Sequence, residues 1–226
     1  MKRLIYLPVF FFLTFMCQQK KKINIQEIEN KTNIMAEKFD FELYKKYQES
    51  NGTLELKNGN TILSIVPPED NEMGMQTELL PKPSFLFLYK EFYPNGYIKK
   101  KEVRISETVK VMQSEYYDEK ANLIKTVDED KYYGKIKYKD ILNFLDKMKY
   151  INISTGEGRL NEDGTNKYDI IYDKDISVWT ILITQGKKLT EDEFLEATRS
   201  SEGEPSIWKP IEYKMDGETG KVKEIK

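Results

Sequence analysis

The chain holds one thiol, Cys17, and no imidazole at all. That decides most of what its side chains can do. Without histidine it lacks the commonest general base near neutral pH and the commonest neutral metal ligand. Ser-His-Asp and Cys-His machinery cannot be built within this chain. Zinc sites made of His and Cys are excluded likewise, as is a disulfide within one chain. Carboxylates remain. Asp128-Glu129-Asp130 could be a catalytic pair or a cation site. Glycosidase chemistry, however, sets two carboxyls at a fixed separation across a cleft, and neighbours at a strand end point to opposite sides. A solvated turn is the better reading. Asp163-Gly-Thr-Asn166 lacks the alternating oxygen ligands of a calcium loop and reads as a turn. The signatures G-x-S-x-G, G-x-x-x-x-G-K-[ST], H-E-x-x-H and G-x-G-x-x-G are absent. No cofactor, no metal and no enzymatic activity are expected.

The chemistry that Cys17 does support is acylation. It follows Lys2-Arg3 and the apolar run Leu4–Met16, and it precedes Gln18-Gln19-Lys20-Lys21-Lys22. The run is shorter than the roughly 20 residues needed to span a bilayer. It has the basic start and apolar core of a secretory signal. Leu13-Thr14-Phe15-Met16 is too bulky for ordinary signal cleavage, and Met16 stands where a lipobox carries a small residue. An uncleaved anchor and ordinary secretion are the other two readings. The expectation is a lipoprotein signal at 1–16, lipid (palmitate among the acyl chains) on Cys17, and a polar tether over 17–38. Each buried CH₂ contributes about 0.8 kcal/mol, so several acyl chains on one residue give an effectively permanent anchor. Membrane lipid is thus the first expected partner. Lys20–Lys22 either meets anionic headgroups or belongs to the solvated tether. Gln18 is not the Asp that marks inner-membrane retention, so the outer membrane of a bacterium is the expected location.

Stepping outward to the elements, composition favours a folded chain with much sheet. Charged residues make up 33% and aromatics 12%, with 15 Tyr, too many rings for disorder. Tyrosine at this density suits half-buried strand positions. The near-neutral balance of 36 basic against 38 acidic residues argues against nucleic acid. Asp40 can cap a helix over Phe41–Tyr47, which Asn51-Gly52 ends. From Thr53 the period becomes two. Asn58-Gly59 between alternating runs predicts a hairpin, Pro67-Pro68 stops its second strand, and 68–83 reads as a loop.

The middle holds an imperfect repeat. Glu91-Phe-Tyr-Pro-Asn-Gly-Tyr-Ile-Lys99 lies beside Glu115-Tyr-Tyr-Asp-Glu-Lys-Ala-Asn-Leu-Ile-Lys125. Each has an acid, two aromatics, a polar turn, an apolar residue or pair and a lysine. Such units build sheet by stacking on one another. Ala121 stands where a turn with φ > 0 wants glycine. Tyr93-Pro-Asn-Gly-Tyr-Ile-Lys and Tyr117–Thr126 resemble MORN-type β-hairpin repeats. That resemblance covers about 85–128. It implies kinship with uncharacterised bacterial lipoproteins and with proteins labelled antitoxin components.

Beyond Asp130 the pattern is mixed. Asp140 can cap a helix over Ile141–Tyr150, with Ile141, Leu142, Leu145 and Met148 on one face. Tyr168–Tyr172 and Ile176–Ile183 read as strands, the second apolar on both faces and therefore central. Thr190-Glu-Asp-Glu193 is a capping box for a helix to about Arg199. The end, Tyr213-x-Met-Asp-x-x-Thr-Gly-Lys-Val222, resembles the last hairpin of small periplasmic α+β domains of the PepSY type, which is used here for the fold alone.

The expected architecture is α+β. An antiparallel β-meander of hairpin repeats over 39–130 leads into a C-terminal α+β region over 131–226, either as two regions or as one continuous domain. Trp179 is expected in the core. Trp208, Tyr93 and Tyr117 are the candidate partner-binding residues. The expected function is a non-catalytic, membrane-anchored binding module for an unknown protein or envelope polymer. The alternative is an immunity-type lipoprotein that neutralises a toxin in the periplasm.

Overall fold

Asp40 opens the first regular element as the sequence requires. In a computed structural model, which describes residues 36–162, 164–200 and 205–225, the Leu43 amide donates to Asp40 Oδ1 at 2.9 Å and starts helix α1, Phe41–Gln48. Left-handed Asn51 and Gly52 (φ 56° and 92°) turn the chain away. Cys17, Lys20–Lys22 and Asp163 lie outside the described residues. The fold already includes 36–38, the end of the expected tether, because Lys38 bridges to Tyr97.

Seven strands then run in sequence order as one antiparallel meander: β1 Leu54–Glu55, β2 Thr61–Val66, β3 Gly74–Leu79, β4 Phe87–Phe92, β5 Ile98–Arg104, β6 Lys110–Tyr117 and β7 Leu123–Asp128. Strand β3 corrects the loop expected over 68–83. Its burial runs against the usual alternation: Gln76 and Glu78 are buried while Met75 is 41% exposed. A polar residue facing inward erases the hydrophobic signal.

One turn recurs at the β1–β2, β4–β5 and β6–β7 connections. In each, a residue's amide donates to the carbonyl four positions on, and the fourth residue's amide donates back to the first. The pairs are Leu56/Asn60 with Gly59, Tyr93/Tyr97 with Gly96, and Asp118/Asn122 with Ala121. The position filled by Gly59, Gly96 and Ala121 has φ of 84°, 83° and 61°. The second repeat therefore keeps the turn despite its alanine. An L side chain in this region is strained, so Ala121→Gly should raise stability by about 0.5–1 kcal/mol. A melting temperature that stays level or falls in thermal unfolding contradicts this.

The second half forms its own sheet, ordered β11-β10-β9-β8, from β8 Tyr168–Asp173, β9 Val178–Lys188, β10 Trp208–Asp216 and β11 Val222–Ile225. β9 is an inner strand, as expected. Only one of its faces is fully buried, through Trp179, Ile181 and Ile183. Ile176, read as strand, lies in the turn before it and is 64% exposed. Helix α2, Tyr138–Lys147, starts three residues earlier than expected. Asp140 sits in its first turn and accepts from the Lys137 amide at 2.8 Å. Tyr138, Ile141, Leu142 and Leu145 form its buried face, and Met148 falls outside it at 41% exposure. Helix α3, Glu191–Ser200, opens on the expected capping box: Thr190 N reaches Glu193 Oε2 at 2.9 Å.

One core joins the halves. Phe85, Leu86, Ile105, Val109 and Val111 of the meander pack with the buried face of α2 and with Ile170, Trp179, Ile181 and Ile183. A smaller cluster of Phe39, Ile62, Ile65, Phe92 and Ile98 seats α1 on the meander. The structure is α+β, with hairpin repeats leading into a second sheet.

Candidate functional site

Strand register sorts the meander's side chains onto two faces. Gln76, Glu78, Lys90 and Lys101 share one face with Ile62 and Ile65. The 37–48 segment lies on this face. Glu37 bridges Lys90 (3.0 Å) and Lys101 (2.5 Å), and Glu78 takes Lys90 (2.7 Å), Asn60 (2.6 Å) and Gln76 (2.8 Å). Two cations meet two carboxylates here, and Glu115, opposite Lys101, accepts from the Tyr117 hydroxyl. Burial pushes Glu37 up, but Lys101 and Lys90 outweigh it and hold its carboxyl below the ordinary range.

The opposite face is open at Val66 and Met75, 46% and 41% exposed. Tyr89, Glu91, Lys100, Glu102 and Arg104 project from it. Glu102 is at its centre and has no solvent exposure. Its Oε2 accepts from Arg104 Nε at 3.1 Å and from Arg104 Nη2. Its Oε1 lies 2.9 Å from Lys110 Nζ, 3.3 Å from the Tyr116 hydroxyl and 3.8 Å from Lys100 Nζ. A bulge makes this convergence possible. Lys101 pairs with Glu115 and Val103 with Val111, so Glu102 alone opposes Met112, Gln113 and Ser114. Met112 is left-handed (φ 60°), and its amide donates to Asp130 Oδ1 at 3.2 Å. Ser114 is buried beside it, and its hydroxyl has no hydrogen-bond partner among the described residues.

Burial pushes Glu102 up, yet Arg104 and Lys110 outweigh it and hold its carboxyl below the ordinary range. Glu91 is held down likewise, by Lys99 (2.6 Å) and Lys100 (2.9 Å) against its own burial. Carboxyls in that condition are poor general acids and good electrostatic anchors. The Arg104 guanidinium stacks on the Tyr89 ring at 3.9 Å. Beside it opens a groove of about 530 Å³, whose lining includes Ser64, Thr77, Phe87, Tyr89, Glu107 and Thr108.

These shifts set a pH dependence. Glu37, Glu91 and Glu102 have folded pKa values below the unfolded ones. Their contribution is present above about pH 4.3 and is lost as pH falls through the folded values. Lys90 is raised: burial lowers it, but Glu37 and Glu78 outweigh that. Lys110 is raised in the same way by Glu102 and Tyr116. Their contribution is present below about pH 10.4 and is lost above the folded values. With no histidine, urea melts should show a plateau from about pH 5.5 to pH 9 and an acid limb below about pH 4.5. A change above about 1 kcal/mol between pH 6 and pH 8 contradicts this.

The residues singled out from sequence fall elsewhere. Tyr93 and Tyr117 are brought together, since the Tyr93 hydroxyl donates to the Tyr117 carbonyl at 2.8 Å. The Tyr117 hydroxyl donates to Glu115. Both are half-buried, and these bonds lock one repeat onto the next, as does Asn95 Nδ2 to the Glu119 carbonyl at 2.9 Å. Trp208 begins β10 on the other sheet, paired with Lys188. It is half-buried. Trp179 is fully buried and donates from Nε1 to the Ile136 carbonyl at 3.3 Å. The acidic run disperses: Asp128 pairs with Lys131 at 3.5 Å, Glu129 lies 4.0 Å from Lys110 and Asp130 caps the bulge. Among the described residues no group of three or more acids, Cys or His could hold a metal.

The Tyr89–Glu102–Arg104 array was not foreseen. The turn at Asn95-Gly96 sets only Phe92 opposite Ile98; an irregularity just beyond it shifts the register, so that Glu91 meets Lys100 and Tyr89 meets Glu102. No family model, curated protein or solved structure matches the chain.

Proposed function

We propose that this protein is a non-catalytic binding module of a bacterial envelope, held to a membrane by lipid on Cys17. The observation that supports a binding role is the open face of the meander. A rigid, aromatic-backed arginine there stands at a groove, and Glu91 and Glu102 around it are committed to ion pairs. The layout around Cys17 supports the anchor: a basic start, a short apolar run and a lone thiol. The outer membrane is the location this reading favours, and the hairpin repeats serve to build the sheet that presents the site.

Two measurements test it. Cys17→Ser should abolish incorporation of labelled fatty acid and move the protein out of the membrane fraction. Unchanged labelling or fractionation removes the anchor from the proposal. The tagged full chain, solubilised in mild detergent, should capture a ligand from envelope extracts. An immunity-type role would appear in the same experiment as one protein partner of nanomolar affinity that is toxic when expressed alone.

A further inference from the structure

We infer that the groove beside Arg104 binds an acidic saccharide, with a carboxylate or phosphate of one sugar unit seated on the Arg104 guanidinium. The inference rests on the binding-module reading and names its ligand class. It starts from an imbalance. On the covered face two cations meet two carboxylates. On the open face Lys99, Lys100, Arg104 and Lys110 share Glu91 and Glu102. Glu129 adds a third acid at 4.0 Å from Lys110, and Lys125, 5.8 Å from the Tyr116 ring centre, adds a fifth cation. The acids also lie deeper. Glu102 and Glu91 side chains are 0% and 14% exposed, against 34% for Lys110 and 33% for Lys99. Glu107, exposed in the groove lining, is a fourth acid, so five cations stand against four acids on this face, in a chain whose net charge is −2.

Arg104 is the best-placed of these cations. A guanidinium has five N–H donors in a fixed fork. Three are used here, two on Glu102 and one on the Glu107 carbonyl at 2.9 Å. The other two have no partner among the described residues, and the group is already immobilised by Tyr89 and Glu102, so an anion that meets them does so at little cost in side-chain freedom. Two charge-assisted N–H bonds suit a carboxylate or a phosphate oxygen pair. The rest of the lining is what a sugar ring uses: hydroxyls of Ser64, Thr77 and Thr108 for its hydroxyls, and Phe87 for its C–H face. Glu107 is the one acid among the described residues of this lining. It opposes an anionic ligand, which gives the proposal a test of opposite sign.

The test uses the full chain in non-ionic detergent and four probes: tetragalacturonate, a heparin-derived tetrasaccharide, mannose 6-phosphate and neutral maltotetraose. At least one acidic probe should bind, maltotetraose should not, and binding should weaken as salt rises from about 50 mM to about 500 mM. Arg104→Gln should weaken that binding about tenfold or more, and Arg104→Lys should weaken it less. Glu107→Gln, at an exposed position, should tighten it about two- to fivefold. Failure of all three acidic probes at millimolar concentration overturns the proposal. So does equal binding of maltotetraose, or an Arg104→Gln protein that melts like the parent and binds like it. If the probes fail while envelope extracts still yield a partner, the groove assignment falls and the binding-module reading stands.

Discussion

Replacing Glu102 with alanine should cost about 3 kcal/mol of unfolding free energy in chemical denaturation at neutral pH. Removing one member of a buried ion pair usually costs about 3–5 kcal/mol, because the partner charge is left without compensation. The low end applies here. Arg104 and Lys110 keep 19% and 34% side-chain exposure and can turn partly to water. The loss should shrink at low pH, where protonated Glu102 no longer balances its partners in the parent either. A cost below about 1 kcal/mol would mean that water already compensates the cations. Glu91→Ala, whose partners are similarly exposed, should cost less, because Glu91 is not at the convergence point.

Trp179→Ala should be at least as damaging, at about 3–5 kcal/mol. The indole has no exposure and lies 4.7 Å from the Tyr133 ring and 4.5 Å from the Tyr172 ring. Its loss leaves a large void and an unpaired Ile136 carbonyl. The effect should also cross between the sheets. Tyr133 packs on Trp179, and its hydroxyl donates to the Lys110 carbonyl on β6. Trp179→Phe keeps a ring and should recover more than half of the loss. Denaturant melts of the two variants decide this, and equal destabilisation by Phe and Ala would show that the hydrogen bond, not volume, dominates.

The parts that were legible in the sequence are those governed by local rules. Asp40, the Thr190–Glu193 box and the Asn-Gly turns act over four or five residues, and each sits where its chemistry placed it. β3 was illegible because the reason for burying Glu78 lies at Lys90 and Asn60, on or beside neighbouring strands. The same applies to the site. Glu102 reads as one acid after three lysines, and nothing local says that Arg104, Lys110 and Tyr116 will close over it. The Met112–Ser114 bulge that allows this has no sequence signal, since neither Gly nor Pro marks it. The sequence pattern carries β9 only to Ile183, and Trp208 reads as a candidate partner-binding residue. The strand in fact runs on through Thr184-Gln-Gly-Lys-Lys188 and pairs with it.

The way the chain enters the fold has a mechanical meaning. The Phe39 amide donates to the Gly96 carbonyl at 2.8 Å and the Ile98 amide to the Glu37 carbonyl at 3.0 Å. Glu37 is clamped between two lysines and Phe39 is buried. Among the described residues, a pull from the N-terminal side would reach these contacts first. It would load β4 and β5 together, through Lys90, Ile98 and Lys101, before it reached α1. The fastening thus hands such a pull to two paired strands through backbone bonds and ion pairs together, one of them the β5 that carries Arg104.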